Sequence, residues 1–232
     1  MKFLEREHYF ESIDNPSKAY ILGFIAADGA LVKATKRNCY YLTITIKYED
    51  KRLLDFIQSE LGSKHKLLEI RKISPFGKPI HHIRLNFANK YIVSDIMKYG
   101  ITPRKSLTIQ NILVNIPYEY RDAFIIGYFD GNGSITHINH TPNSKSMIIE
   151  IRSTKELLTG ICEHLNIPIT FIHKYDSIPR LTITHKKYIV RFFKCYESLR
   201  FYYIRKYNKF LERINDPSYD KYKQVQTISS PT

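Results

Sequence analysis

Two nine-residue stretches about a hundred residues apart share one design, and they constrain the fold more than anything else in the chain. Residues 21–29 read Ile-Leu-Gly-Phe-Ile-Ala-Ala-Asp-Gly, and residues 125–133 read Ile-Ile-Gly-Tyr-Phe-Asp-Gly-Asn-Gly. Each is an apolar helical run with small residues at i and i+4, Gly23 with Ala27 and Gly127 with Gly131. Such spacing leaves a flat stripe on which a second helix can approach closely. Each run stops at a polar residue followed by Gly. Two helices packed side by side, delivering Asp28 and Asn132 to one spot, are the expectation.

The rest of the sequence repeats in the same order. An offset of 104 residues aligns Asp28 with Asn132 and brings Leu53-Leu54 onto Leu157-Leu158. Arg84-Leu85 then meets Arg180-Leu181, and Lys90-Tyr91-Ile92-Val93 recurs as Lys187-Tyr188-Ile189-Val190. Two long copies are too few for a solenoid and read instead as a pseudo-twofold pair. Motif helices are predicted over 16–28 and 117–131, opened by Asn15-Pro16 and by Pro117 and closed by glycines suited to a left-handed C′ position. Strands are expected near 30–36, 41–47, 65–73 and 80–87, with helices over 50–61 and 89–99. The second copy repeats them near 134–140, 146–152, 169–174 and 179–184, with helices over 154–165 and 186–200. The fold class is α+β, two α-β-β-α-β-β-α repeats related by a pseudo-twofold. The domains are residues 1–107, a linker at 108–116, and 117–232 with a loosely held tail after about 216.

The net charge of +14 is shared by both halves and comes from no single block. A folded basic surface of this kind suits a polyanion, and counterion release makes DNA or RNA the leading partner. No run approaches a membrane span, and the start Met-Lys-Phe-Leu-Glu-Arg-Glu, which carries acidic residues and no long apolar core, argues against a signal peptide. Cys39, Cys162 and Cys195 are odd in number and far apart, as expected for reduced intracellular thiols. The expected location is therefore intracellular, cytoplasmic or organellar, neither secreted nor membrane-bound.

The ends of the motif helices carry the chemistry. Asp28 stands against the negative end of its helix dipole, where a carboxylate is disfavoured by about 0.3–1 kcal/mol. Converging two such ends compounds the repulsion unless a cation neutralises it. Carboxylate, backbone carbonyl and water oxygens make a Mg²⁺-type site, and hard cations there suit phosphodiester hydrolysis.

At this point the residues closely resemble the LAGLIDADG homing endonucleases, of the single-chain type with two motifs. The likeness spans nearly the whole chain, from Ala19 to about Phe210. It implies that the motif helices form the interface between repeats and that an antiparallel sheet from each forms a saddle over the DNA major groove. The implied activity is site-specific, metal-dependent cleavage of double-stranded DNA at a long target by a monomer. Mg²⁺ or Mn²⁺ is the implied cofactor, with Ca²⁺ binding without supporting cleavage. Carried over, Asp28 and Asn132 are the catalytic metal ligands, with Ala27 and Gly131 contributing to the metal site from the helix ends. Asn132 departs from the family's Asp or Glu. Its amide loses the charge that draws the ion in, so the chain is expected to cleave slowly, to nick, or to bind without cutting. The alternative is a non-catalytic binder on the same fold, an intron RNA maturase or a DNA-binding regulator. Asp130 is read as structural, because two residues along a helix point it elsewhere. The family also places a basic residue beside each scissile phosphate, here Lys105 and Lys206, with Arg104 and Arg205 as close substitutes.

DNA contacts are expected from strand residues facing away from the core. In copy one these are Lys33, Lys36, Arg37, Lys47, Arg71, Lys72, Lys78 and Arg84. In copy two they are Asn139, Lys145, Arg152, Lys174 and Arg180. Other signals fail. Asp130–Ser134 begins like an EF-hand loop, but Ile135 and Thr141 stand where Gly and Glu are needed. His81-His82 and His137–His140 lack further ligands at zinc spacing, and no Gly-Lys-Ser/Thr makes a phosphate loop.

Overall fold

A computed structural model describes the chain over residues 4–34, 39–105, 108–141, 144–174 and 178–223. The first repeat runs α1 (Pro16–Asp28), β1 (Gly29–Lys33), β2 (Tyr40–Lys47), α2 (Lys51–Leu61), β3 (Leu68–Ile73), β4 (Pro79–Phe87) and α3 (Lys90–Lys98). The second runs α4 (Arg121–Asn132), β5 (Gly133–Thr141), β6 (Ser144–Arg152), α5 (Lys155–Leu165), β7 (Ile172–His173), β8 (Arg180–Ile183) and α6 (Lys186–Lys194). Two further helices follow, α7 (Ile204–Ile214) and α8 (Asp220–Lys223). The sheets have the same antiparallel topology, β1-β2-β4-β3 and β5-β6-β8-β7. The duplicated plan read from the sequence is therefore present.

Period-two alternation gives each sheet one buried and one open face. Leu42, Ile44 and Ile46 on β2 and Ile83, Leu85 and Phe87 on β4 point into the core. Met147, Ile149, Ile151, Leu181 and Ile183 do the same in the second sheet. Each such side chain contributes roughly 1.5–3 kcal/mol by leaving water. The residues between them, among them Thr45, Lys47 and Arg84, stand on the opposite face.

α1 and α4 are buried along most of their length, Ala19–Ala26 and Ala123–Asp130, because each packs on its twin as well as on the sheets. Gly23 and Gly127 set the approach. A Cβ on Gly23 would lie 2.1 Å from the Phe124 carbonyl oxygen, and one on Gly127 would lie 2.0 Å from that of Tyr20. The small-residue stripes thus put backbone against backbone.

Several boundaries differ from expectation. α1 starts as predicted, with Asn15 accepting from the Lys18 N–H at 3.0 Å. The second motif helix starts at Arg121 after a 3₁₀ turn over Tyr118–Tyr120, so Pro117 opens the turn rather than the helix. The closing glycines are not left-handed: Gly29 has φ −70° and Gly133 φ −101°, since each helix runs straight into an extended strand. Glycine is needed there for space, because a Cβ would meet the Ile25 carbonyl at 2.7 Å or the Phe129 ring at 2.0 Å. The strand expected over 169–174 shrinks to β7 behind a 3₁₀ turn at Ile169–Phe171. The helix expected to reach 200 stops at Lys194. The segment 108–116 is packed, burying Ile109, Ile112, Leu113 and Ile116. Beyond residue 216 the chain still holds on through buried Tyr219 and α8.

Candidate active site

The two motif helices bring Asp28 and the Gly131–Asn132 tip together. A Cβ on Gly131 would lie 2.4 Å from the Ala27 Cβ and 3.3 Å from the Asp28 Cγ. The two tips are nevertheless unlike. Asp28 is exposed, and among the described residues none hydrogen-bonds or ion-pairs with its carboxylate. Partial desolvation raises its pKa, opposed by the charges of Lys206, Lys105 and Arg205. Asn132 is exposed as well, but its amide nitrogen donates to the Tyr128 hydroxyl at 3.2 Å, which in turn donates to Ser153 at 2.8 Å.

Behind each tip sits a buried lysine. The Lys105 ammonium donates to the Ala27 carbonyl at 3.2 Å and also to that of Gly29. The Lys206 ammonium donates to the carbonyls of Phe129, Asp130 and Gly133, each at 2.7 Å. A cation on the last carbonyls of a helix is the favourable partner of the dipole's negative end. Both side chains are 7% exposed. Burial lowers each pKa to about 8, with Asp28 pulling Lys105 back up and Asp130 doing so for Lys206. The family resemblance implies a place for these lysines beside scissile phosphates. The structure brings them to the helix ends but turns their ammoniums inward. Arg205 is likewise engaged, clamping Asp50 of the first repeat with Nε at 3.0 Å and a terminal nitrogen at 2.9 Å.

Asp130 is buried, as its structural reading requires. One carboxylate oxygen accepts from the Tyr20 hydroxyl at 2.7 Å and from the Tyr203 N–H at 2.9 Å, tying the repeats together. Desolvation raises its pKa to about 6 against the pull of Lys206.

A cavity of about 310 Å³ opens over this cluster, lined by Asp28, Lys47, Asp50, His82, Arg205 and Lys206 among others. Lys47 and His82 belong to the open face of the first sheet, so that face leads directly to the Asp28 tip. Among the described residues, no three His, Cys, Asp or Glu side chains are grouped to hold a metal. What Asp28 offers is one unpartnered, partly desolvated carboxylate beside backbone carbonyls. That fits a hard cation of the Mg²⁺ kind, which keeps waters and takes one or two carboxylates plus substrate phosphate. The Ala27 carbonyl already accepts from Lys105 and has one lone pair left for such a role. Gly131 lines the same cavity. The Asn132 tip brings no charge to it.

Of the residues expected to touch nucleic acid, Lys47, Lys72, Arg84, Arg152 and Arg180 stand on the open faces. Lys33 and Arg71 fall on the opposite parity, Lys33 as the last residue of β1 and Arg71 within the edge strand β3, where it is exposed and paired with Glu69. Lys78 is exposed in the β3–β4 turn and Lys174 just past β7. Lys36 and Arg37 lie outside the described residues, as do the side chains of Asn139 and Lys145. Sequence reading missed the Tyr20–Asp130–Tyr203 tie and the Asp50–Arg205 clamp. Both join residues far apart in the chain and carry no local signature. Among the described residues, no helix is long and apolar enough to cross a membrane.

No family model matches the sequence. The chain is 24% identical over 160 residues to the alpha subunit of ribonucleoside-diphosphate reductase NrdEB of Bacillus subtilis (strain 168). That match covers 63% of this chain but only 14% of the reductase, so it concerns a small part of that protein. Solved structures align far more completely. The homing endonuclease I-WcaI bound to its DNA recognition sequence superposes with a TM-score of 0.62 at 14% identity, covering 87% of this chain and 90% of that one. The LAGLIDADG meganuclease I-AabMI bound to uncleaved DNA gives 0.59 at 12% identity, with 85% and 88% covered. I-GzeII in complex with its DNA target gives 0.57 at 12%, with 87% and 88%. Paired motif helices, duplicated sheets and near-complete superposition agree: this chain has the fold of the LAGLIDADG homing endonucleases.

Proposed function

We propose that this protein is a monomeric, metal-dependent DNA endonuclease of the homing type, able to cut one strand of its target well and the other poorly. The observation that carries this reading is the single unpartnered carboxylate, Asp28, where the open first-repeat sheet meets the paired helix tips. The strands on either side supply Lys47, Lys72, Arg84, Arg152 and Arg180 toward a polyanion, and structural neighbours are solved with DNA bound. A bound Mg²⁺ or Mn²⁺ would supply Lewis acidity and an acidified water. Asp28 would hold that ion, with the Ala27 and Gly131 backbone beside it. Lys105 and Lys206 neutralise the converging helix ends from within and keep the tips from repelling each other. Asn132, neutral and bonded to Tyr128, leaves its half of the site without a charged ligand.

The experiment is to select bound DNA from a randomised pool, then incubate supercoiled plasmid bearing the winner with Mg²⁺, Mn²⁺ or Ca²⁺. Open-circular product should accumulate with Mg²⁺ and Mn²⁺, linear product should lag, and Ca²⁺ should give binding alone. Plasmid that stays supercoiled even with Asn132→Asp would remove nuclease activity from the account. Metal-independent preference for intron RNA would favour a maturase instead.

A further inference from the structure

On the open face of the first sheet one arginine is anchored by the neighbouring strand. Arg84 stands on β4 directly opposite Thr45 on β2. Its Nε donates to the Thr45 hydroxyl at 2.9 Å, while the residue itself is exposed. No described residue takes its two terminal nitrogens. A guanidinium anchored through Nε has its plane fixed and its terminal fork aimed outward. That fork matches the O6 and N7 acceptors of guanine in the major groove. The pseudo-equivalent position in the second sheet is different. Arg180 faces Arg152 across β6 and β8, and one terminal nitrogen donates to Glu150 at 2.8 Å in a half-buried ion pair. The two repeats thus place an arginine at the same point of the saddle, one with its fork open and one with it engaged by a carboxylate.

We infer that Arg84, oriented by Thr45, is a specificity-determining residue that reads one guanine in the half-site under the first repeat. Arg180, engaged by Glu150, reads its position more weakly. Thr45 is a positioning residue: it touches no base and acts by holding the arginine plane before DNA arrives, which spares side-chain ordering on binding. The inference rests on the DNA reading above and adds base identity to it. Lysines on the same face, such as Lys47 and Lys72, hold phosphate and set affinity rather than sequence.

The test is selection from a randomised duplex pool with the full chain in Ca²⁺, for the wild type, Arg84→Ala, Thr45→Val and Arg180→Ala. Circular dichroism and thermal melts confirm that each variant is folded. The wild type should show a strong guanine at one position of one half-site. Arg84→Ala should lower discrimination at that position by on the order of tenfold and leave the others unchanged. Thr45→Val should lower it at the same position by a few-fold, and Arg180→Ala should have a smaller effect in the other half-site. If Arg84→Ala weakens all sequences equally and keeps every base preference, Arg84 is a phosphate contact and the inference fails. If Thr45→Val changes nothing while Arg84→Ala does, the positioning role fails. A wild type that selects no DNA would overturn the DNA reading itself, and this inference with it.

Discussion

The tips of the two motif helices occupy equivalent places and have opposite chemistry. At the end of α1, Asp28 holds an unpartnered carboxylate at the mouth of a cavity that continues the open face of the first sheet. At the end of α4, Asn132 holds a neutral amide turned onto Tyr128, and the acid of that motif, Asp130, is buried two residues earlier as a tie between the repeats. The pseudo-twofold therefore preserves packing and divides labour. One tip leaves its carboxylate open to the cavity, and the other uses its carboxylate to hold the halves together.

The largest expected effect removes the difference from the Asp28 side. Asp28→Asn should lower strand cleavage on the order of a hundredfold to a thousandfold, the scale of losing a charge-stabilising group at a reacting centre, with DNA binding in Ca²⁺ retained. A gel-shift and a plasmid-nicking assay read the two quantities. Cleavage that survives would place the chemistry elsewhere.

Asp130 sharpens the comparison through pH. Its folded pKa of about 6 lies above the ordinary aspartate value of 3.8, so the folded state binds the extra proton between those values. That contribution is intact at low pH and is lost as pH rises from about 4 to 6, a change on the order of 3 kcal/mol. Asp130→Asn keeps a neutral acceptor for Tyr20 and Tyr203 and should flatten this slope. Denaturant melts of both proteins across pH 4–7 measure it, and parallel curves would contradict the assignment.

Next come the buried lysines. Lys206 satisfies three carbonyls and Lys105 two, so Lys206→Met should cost about 2–3 kcal/mol and Lys105→Met about 1–2. Equilibrium unfolding ranks them, and the reverse order would show that the two helix ends are not held as described. The smallest effect is the gain from Asn132→Asp. It should raise second-strand cleavage about tenfold, on the order of 1.4 kcal/mol in barrier, seen as linear plasmid overtaking the nicked form.

Much of this was legible in the residues. Gly23 and Gly127 announced the helix contact, because only glycine permits a carbonyl of the facing helix at that distance. Alternation along β2 and β4 showed which residues face the core, although on the edge strands β1 and β3 the face expected for Lys33 and Arg71 was the other one. α7 was legible in principle through Tyr207, Phe210, Leu211 and Ile214 at helical spacing. What periodicity does not reveal is where a long side chain ends. Lys105 and Lys206 were found by their place after each motif, yet whether an ammonium reaches outward or folds onto a helix end depends on tertiary surroundings. The Asp130 and Asp50 ties depend on partners 110 and 155 residues away.

The most direct test of the division of labour is to exchange the tips. A strand-labelled duplex of the selected target is cut in Mg²⁺ by the wild type and by the double variant Asp28→Asn/Asn132→Asp, and the rate on each strand is recorded. The wild type should cut one strand faster, and the exchanged protein should invert that preference. An unchanged strand preference, or equal rates in both proteins, would contradict the claim that the carboxylate tip decides where the bond breaks.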